Sequence, residues 1–473
     1  MIHEIKNPIR VWNWCRALPV LLILSLSVSG CATKPSDSEK SSPSSTVSQS
    51  DKSSPSPIVS QSGDASDRKE DAVAEKDEKF PPPSPEERKR MQDFLNANVP
   101  KQGIVKTLQM PSGETIDCVK IEMQPALLKS DMRGHKVQRA PSKYPDLKTA
   151  GEQKDEREVK PAVQEYAQLP QPCPVESVPI RRLTIEELTR FQTLGDFLNK
   201  HPRRLSGKDE LLPEDLPEAG PTDKHQYAVA RRYVENWGAE SVLNLWKPYT
   251  ESGKEFTLSQ IWVARGDGGN LETVEAGWQK YKNKYGDWRS RLFIYFTPDN
   301  YGGGGCYNLD CGGFVQVNNS VYIAGGFTNY SSHDGAQYAI KLLWYKDFEE
   351  GHWWLRYGDT WVGYYPRTKF DSNGLRNRGS RVTFGGEITD YRTGGHHTRT
   401  DMGSGYMPSY GFAWAAYHRS VRYVDTSNFY RRATELFTIV SDDDCYDIDL
   451  NESNGSWEVY FYFGGWGYGS QCE

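Results

Sequence analysis

Thr273-Val274-Glu275-Ala276-Gly277-Trp278-Gln279-Lys280-Tyr281 decides how this chain is read. Drawn out as a strand, it puts Val274, Ala276 and Trp278 on one side and Glu275, Gly277, Gln279 and Tyr281 on the other. One side is apolar, and the other carries a carboxyl with a glycine two residues away, which is expected to clear space above the sheet so that a substrate backbone can approach the carboxyl. Thr383–Tyr391 repeats the pattern, with Gly385, Glu387, Thr389 and Tyr391 sharing a face. Around these two stretches run further strand-like segments: RLFIYFTPD (Arg291–Asp299), GGFVQVNNSVYIAGG (Gly312–Gly326), YAIKLLWYKD (Tyr338–Asp347) and WEVYFYFGG (Trp457–Gly465). Aromatic and β-branched runs separated by Gly, Asn and Asp turns predict an all-β antiparallel sandwich over residues 224–473. Strands of this length allow the sheets to curve and leave a concave groove. Trp262, Trp278, Trp353, Trp354 and Trp361 are aromatics suited to such a groove or to the core beneath it.

Outward from this region the composition changes. Of the 14 Trp, 12 fall after residue 230, and so do 33 of the 42 Gly, so the 473 residues are two materials joined together. The net charge of -6 excludes a simple electrostatic nucleic-acid binder. No apolar run reaches the length of a membrane-spanning helix. At the N-terminus, Lys6, Arg10 and Arg16 precede the apolar stretch Ala17–Val28, which ends Val28-Ser29-Gly30-Cys31. That is the form of a signal peptide (1–31). The small residues before Cys31 resemble a bacterial lipobox, which implies a lipid anchor on Cys31 and export to the outer membrane or cell surface. Residues 32–83 form a Ser/Pro-rich tether holding a near-repeat, Ser41–Lys52 then Ser53–Asp64, and are expected to be extended and disordered.

Residues 84–205 read as a small α+β domain. Ser84-Pro85-Glu86-Glu87 starts a helix that runs to about Asn98, and Thr184-Ile185-Glu186-Glu187 starts a second amphipathic helix. Between them Ile116, Cys118, Val119 and Ile121 predict a strand pair around Gly113. Charges crowd Lys148–Lys160, a loop, and residues 206–223, a Pro-punctuated linker. Beyond Cys15 and Cys31, six Cys remain, an even number in an exported chain, which favours disulfides. Six Cys allow fifteen connectivities. Proximity favours Cys306–Cys311 and Cys445–Cys472, leaving Cys118 for Cys173. No C-x2-C pair exists and only His396 and His397 are adjacent, so no metal and no cofactor is expected.

Several motifs carry a family resemblance. Gly113–Val119, Gln124-Pro125-Ala126 and His135–Gln138 resemble the activation-peptide domain of neprosin-type peptidases. Phe256–Val263, Val274–Trp278, Tyr285-Gly286-Asp287, Cys306–Cys311, Gly313–Gln316, Trp353-Trp354-Leu355, Val362–Pro366, Gly385–Ile388 and Met402–Gly405 occur in the order seen in neprosin. The sequence departs from that pattern in the Gly302–Gly305 run and in Gly464-Gly465-Trp466-Gly467. The resemblance implies a glutamic endopeptidase working in acid and cutting after proline in peptides or proteins. It also implies an activation segment that packs on its own catalytic domain as in a zymogen.

Glu275 and Glu387 are the expected catalytic pair. Peptide hydrolysis needs one ionised carboxyl to take a proton from water and one protonated carboxyl to give a proton up. Gln260 is a candidate oxyanion donor, and Trp278 and Tyr281 are candidate walls of a proline pocket. Ser404 lacks the frame of a nucleophile elbow. The same carboxyl pair also fits a glycoside hydrolase, and the tethered sandwich also fits a non-catalytic surface protein that binds carbohydrate or peptide.

Overall fold

Seven strands hydrogen-bond in the order Cys306–Tyr307, Ser290–Thr297, Glu272–Tyr281, Phe256–Arg265, Gly379–Thr389, His225–Asn236 and Phe437–Val440. Every neighbouring pair in this sheet is antiparallel. A ten-stranded sheet faces it, built around Gln337–Lys346, Gly238–Asn244 and Ala416–Val424. The computed structural model describes residues 74–146, 157–200, 225–392 and 395–473. The signal segment with Cys31, most of the tether, part of the Lys148–Lys160 run and the 206–223 linker lie outside the described residues.

The predicted alternation organises the core. Val274, Ala276 and Trp278 point between the sheets, where they meet Ile261, Val263, Ile294 and Phe296 of their own sheet and Leu342, Trp344, Trp353 and Phe461 of the other. This apolar interior supplies most of the area removed from water and fixes the register, because a one-residue slip would turn Glu275 and Glu387 into it. The expected strand over Gly312–Gly326 is only Val315–Gln316. Asn318 and Asn319 interrupt it, and Asn318 Oδ1 accepts from the backbone and hydroxyl of Ser320, which turns the chain.

The segment before the sandwich is a three-stranded sheet, Ile104–Gln109, Thr115–Lys120 and Ser177–Arg181, with short helices. The first helix spans Pro85–Asn98, capped by Ser84, as the sequence predicts. The second expected helix is instead two, Ile185–Leu188 and Leu194–Leu198, each with its own capping box. Thr193 recruits Asp196 and restarts the helix, so one amphipathic run becomes two short helices. Met91, Leu95, Leu188, Phe191 and Phe197 from this segment pack onto the outer face of the seven-stranded sheet, against Phe256, Leu258, Tyr281 and Phe293. Val159–Pro161 also pairs in parallel with Gln337–Ala339, at the other sheet.

Residues 74–83, expected to end the tether, lie against the sandwich. Glu75 pairs with Lys280, Glu78 with Lys254, and Phe80 stacks on Phe191. The charges and the ring supply these contacts. Among the described residues there are three disulfides: Cys118–Cys173, Cys306–Cys311 and Cys445–Cys472. None joins the activation segment to the sandwich.

Candidate active site

Three rows of side chains cross the outer face of the seven-stranded sheet. Tyr295, Glu275, Trp262 and Thr383 face one another in the first row. Phe293, Gly277, Gln260 and Gly385 form the second, and Arg291, Gln279, Leu258 and Glu387 the third. Glu275 and Glu387 are therefore two rows and two strands apart, yet they converge. Lys200 Nζ lies 2.7 Å from Glu275 Oε2 and 2.6 Å from Glu387 Oε2, so the sum, 5.3 Å, bounds the distance between those oxygens. All three side chains have no exposed surface.

The middle row makes the convergence possible, by a route the sequence does not suggest. The glycines were expected to clear space above the sheet. A Cβ on Gly277 would instead strike the Ser259 carbonyl and the Gln260 backbone, and one on Gly385 would strike the Ala228 carbonyl. Gly385 also has φ +140°, a conformation that L side chains rarely adopt. What the two glycines permit is close approach of neighbouring strands beneath the carboxyls.

Each carboxylate has its own set of donors. Glu387 Oε1 meets His225 Nδ1 at 2.8 Å, and Gln260 Nε2 donates to Oε2 at 3.1 Å. Glu275 Oε1 accepts from the Tyr301 hydroxyl at 2.9 Å and the Thr273 hydroxyl at 2.8 Å. Burial pushes the Glu387 carboxyl up, but the Lys200 ammonium and His225 outweigh it and hold Glu387 below the usual carboxylate range. Burial pushes the Tyr301 phenol well above its ordinary value, so it stays a donor. Lys200 also lies 5.0 Å from the centre of the Trp262 ring.

The structure thus brings Glu275, Glu387 and Gln260 together and parts them from Trp278. Trp278 is fully buried between the sheets and donates its indole N–H to the Asn244 carbonyl, so it walls no groove. Its parity in the strand, opposite to that of Glu275, already excluded the role. Of the five tryptophans considered for the groove, Trp262 alone lies in the row of Glu275; Trp278 and Trp353 are core, and Trp354 and Trp361 pack beside Tyr364 on the far sheet. Tyr281 does face outward, where it meets Phe256 and Phe191. Gln260 donates to Glu387 rather than standing free to polarise a carbonyl.

Lys200, His225, Tyr301 and Thr273 are site residues that sequence reasoning missed. Thr273 was within reach, since it shares the face of Glu275 two residues away. Lys200 and His225 carried no local signal. They bracket the undescribed residues 201–224, and both ends of that stretch meet at Glu387.

Two crystal structures of scytalido-glutamic peptidase, one with a peptide-based transition state analog and one with a transition state analog inhibitor, align with 52% of this chain at 10% identity and a TM-score of 0.29. They are covered over 98% and 100% of their own lengths. CG-16, a homodimeric agglutinin from chicken liver, aligns with 35% of this chain and 91% of its own at 8% identity and a TM-score of 0.19. Likenesses this weak carry no functional weight. The family models are more direct: Neprosin matches residues 253–466, which hold both glutamates, and Neprosin activation peptide matches residues 107–231, which hold Lys200 and His225. In sequence order, the chain carries a segment similar to the Neprosin activation peptide and then a segment similar to Neprosin itself.

Proposed function

We propose that this protein is an acid-active glutamic endopeptidase, cutting after proline, held latent by its own activation segment. The observation that carries the reading is the pair of buried carboxylates gripping a single ammonium from that segment. When Lys200 withdraws, a water takes the place of its Nζ, within reach of both carboxyls. Glu387 is the base. It accepts from the Gln260 amide N–H and from His225, both of which favour the ionised form. Glu275 is the acid. Its partners are hydroxyls, which can donate to a carboxylate or accept from a carboxylic acid, so its neutral form is tolerated. Glu387 takes a proton from the water, the water oxygen bonds to the peptide carbonyl carbon, and Glu275 gives its proton to the departing amine as the C–N bond breaks.

The same contacts explain latency. Lys200 helps hold Glu387 low in the closed chain. That stabilisation is complete above the ordinary carboxylate range and is lost as pH falls through the depressed value. Acid therefore loosens the plug in the range where one carboxyl of the pair must carry a proton for catalysis. The proline preference is carried over from the neprosin resemblance, and the outward face with Tyr281 is where such a pocket belongs. The lipobox-like Val28-Ser29-Gly30-Cys31 supports a lipid anchor at the outer membrane or cell surface of a bacterium, and Cys31→Ala is expected to release the protein from membranes.

The deciding experiment incubates the full chain with a proline-rich peptide across acidic and neutral pH and maps the cuts by mass spectrometry. Cuts on the carboxyl side of proline in acid are expected. Cleavage with no proline enrichment would leave the peptidase and remove the specificity. No cleavage of peptide, with hydrolysis of a glucan, would move the carboxyl pair to sugar chemistry.

A further inference from the structure

The activation segment reaches the Glu pair by way of a second buried charge. Phe197, in the helix Leu194–Leu198, is fully buried, and the chain leaves that helix through Asn199 in an extended conformation. The Lys284 ammonium sits 3.4 Å from the centre of the Phe197 ring and 4.9 Å from that of Tyr307. It donates to the Phe197 carbonyl oxygen at 2.7 Å and pairs with Asp310 at 2.8 Å. Its side chain is unexposed, and burial pushes its pKa down to about 8 against the pull of Asp310. Asp310 is itself held in the loop closed by the Cys306–Cys311 disulfide.

This is a costly way to seat a phenylalanine if packing were all that mattered, because a buried ammonium is expensive unless its donors are used. Two of its partners, the ring and the carbonyl of Phe197, belong to the segment that withdraws on activation. Lys284, Asp310 and Tyr307 stay behind, on the sandwich. Lys200, at the Glu pair, follows Phe197 by three positions, a spacing that a peptide in the groove would share.

We infer that Lys284, Asp310 and Tyr307 form a substrate subsite for an aromatic side chain, occupied in the latent chain by Phe197 as a stand-in. The subsite serves the third or fourth residue ahead of the cut bond. There the Lys284 ammonium takes the substrate's backbone carbonyl and lies over its ring, as it does with Phe197. The inference rests on the peptidase reading of Glu275 and Glu387 and adds a specificity that the proline preference does not contain.

The test uses the acid-activated full chain and a peptide library varied at each position around a fixed cut site. Phe, Tyr and Trp are expected to be favoured by about tenfold or more at that one position. A flat wild-type profile there overturns the subsite, whatever any variant does. Lys284→Met combined with Asp310→Asn leaves no lone buried charge, and it should erase the aromatic preference, so that aromatic and alanine peptides are cut at the same rate as each other. Preference that survives in the double variant also overturns the proposal. If nothing is cut in acid, the peptidase reading fails, and the subsite is then read by binding. Labelled Phe-Leu-Asn-Lys should bind the acid-treated full chain about tenfold more tightly than Ala-Leu-Asn-Lys, and equal affinity would overturn it.

Discussion

Along the strand Glu272–Tyr281, side chains alternate between two surroundings that share only a backbone. Trp278 looks inward, into an apolar layer closed by the opposite sheet. Glu275 and Gln279 look outward, onto a face where carboxylates, Lys200, Lys284 and Arg291 are buried together with hydroxyls and rings. The inner face is held by area removed from water and is permanent. The outer face is sealed by a segment whose ion pairs with it, Lys200 with both glutamates and Glu114 with Arg291, cross a boundary that no disulfide spans. One face is closed by apolar burial alone, and the other by buried charges set among rings and hydroxyls.

The sharpest separation comes from substituting the outward carboxyls. Glu275→Gln and Glu387→Gln keep the shape and remove the titration, and each is expected to cost about 10²–10⁴ in acid peptide cleavage. Either variant cleaving at near-normal rate in acid would end the two-carboxyl mechanism. The thermal transition of the sandwich should scarcely move, since neither side chain belongs to the inner core.

Tryptophan tests the other face. Trp278→Ala leaves a hole between the sheets and an Asn244 carbonyl without its donor, and is expected to cost about 3–5 kcal/mol in stability. Trp262→Ala, on the outward side beside Lys200, should cost less and act on latency and substrate binding. Equal losses of stability from the two would mean that the faces are not as distinct as their contents suggest.

The inner face was open to sequence reasoning and most of the outer face was not, for a physical reason. Val274, Ala276 and Trp278 announce a buried side by alternation, because apolar burial needs no particular partner. Glu275 and Glu387 could be placed on one face by the same alternation, with Gly277 and Gly385 marking where that face is unusual. What each carboxyl touches depends on partners far along the chain: Lys200 lies 75 residues before Glu275, and His225 lies 162 before Glu387. No local pattern encodes such a pairing. The two glycines were noticed for the wrong reason, since the constraint on each comes from the neighbouring strand.

Lys200→Met asks whether the outer face is locked by charge or by packing. It removes the ammonium and leaves two buried carboxylates facing each other, and breaking a buried pair in this way typically costs about 3–5 kcal/mol. The closed state should weaken accordingly, and the pH at which half of the full chain becomes active should rise. An unchanged activation pH would assign latency to the apolar contacts of Met91, Leu95, Phe191 and Phe197, making the outer face more like the inner one.

The smallest expected effect is the most specific to mechanism. His225 Nδ1 lies against Glu387 Oε1, and its charge is one of the influences holding that carboxyl low. His225→Gln keeps a side-chain N–H donor and removes the charge. Glu387 must be ionised to act as base, so activity falls on the acid side as pH drops through its pKa. Without the positive charge that pKa rises, and the acid limb of the kcat profile should shift toward neutral by about one unit or less, with the activity at the optimum largely kept. A limb that stays in place, or moves further into acid, would show that His225 serves only as a spacer, or that the base is Glu275 and the two roles are exchanged.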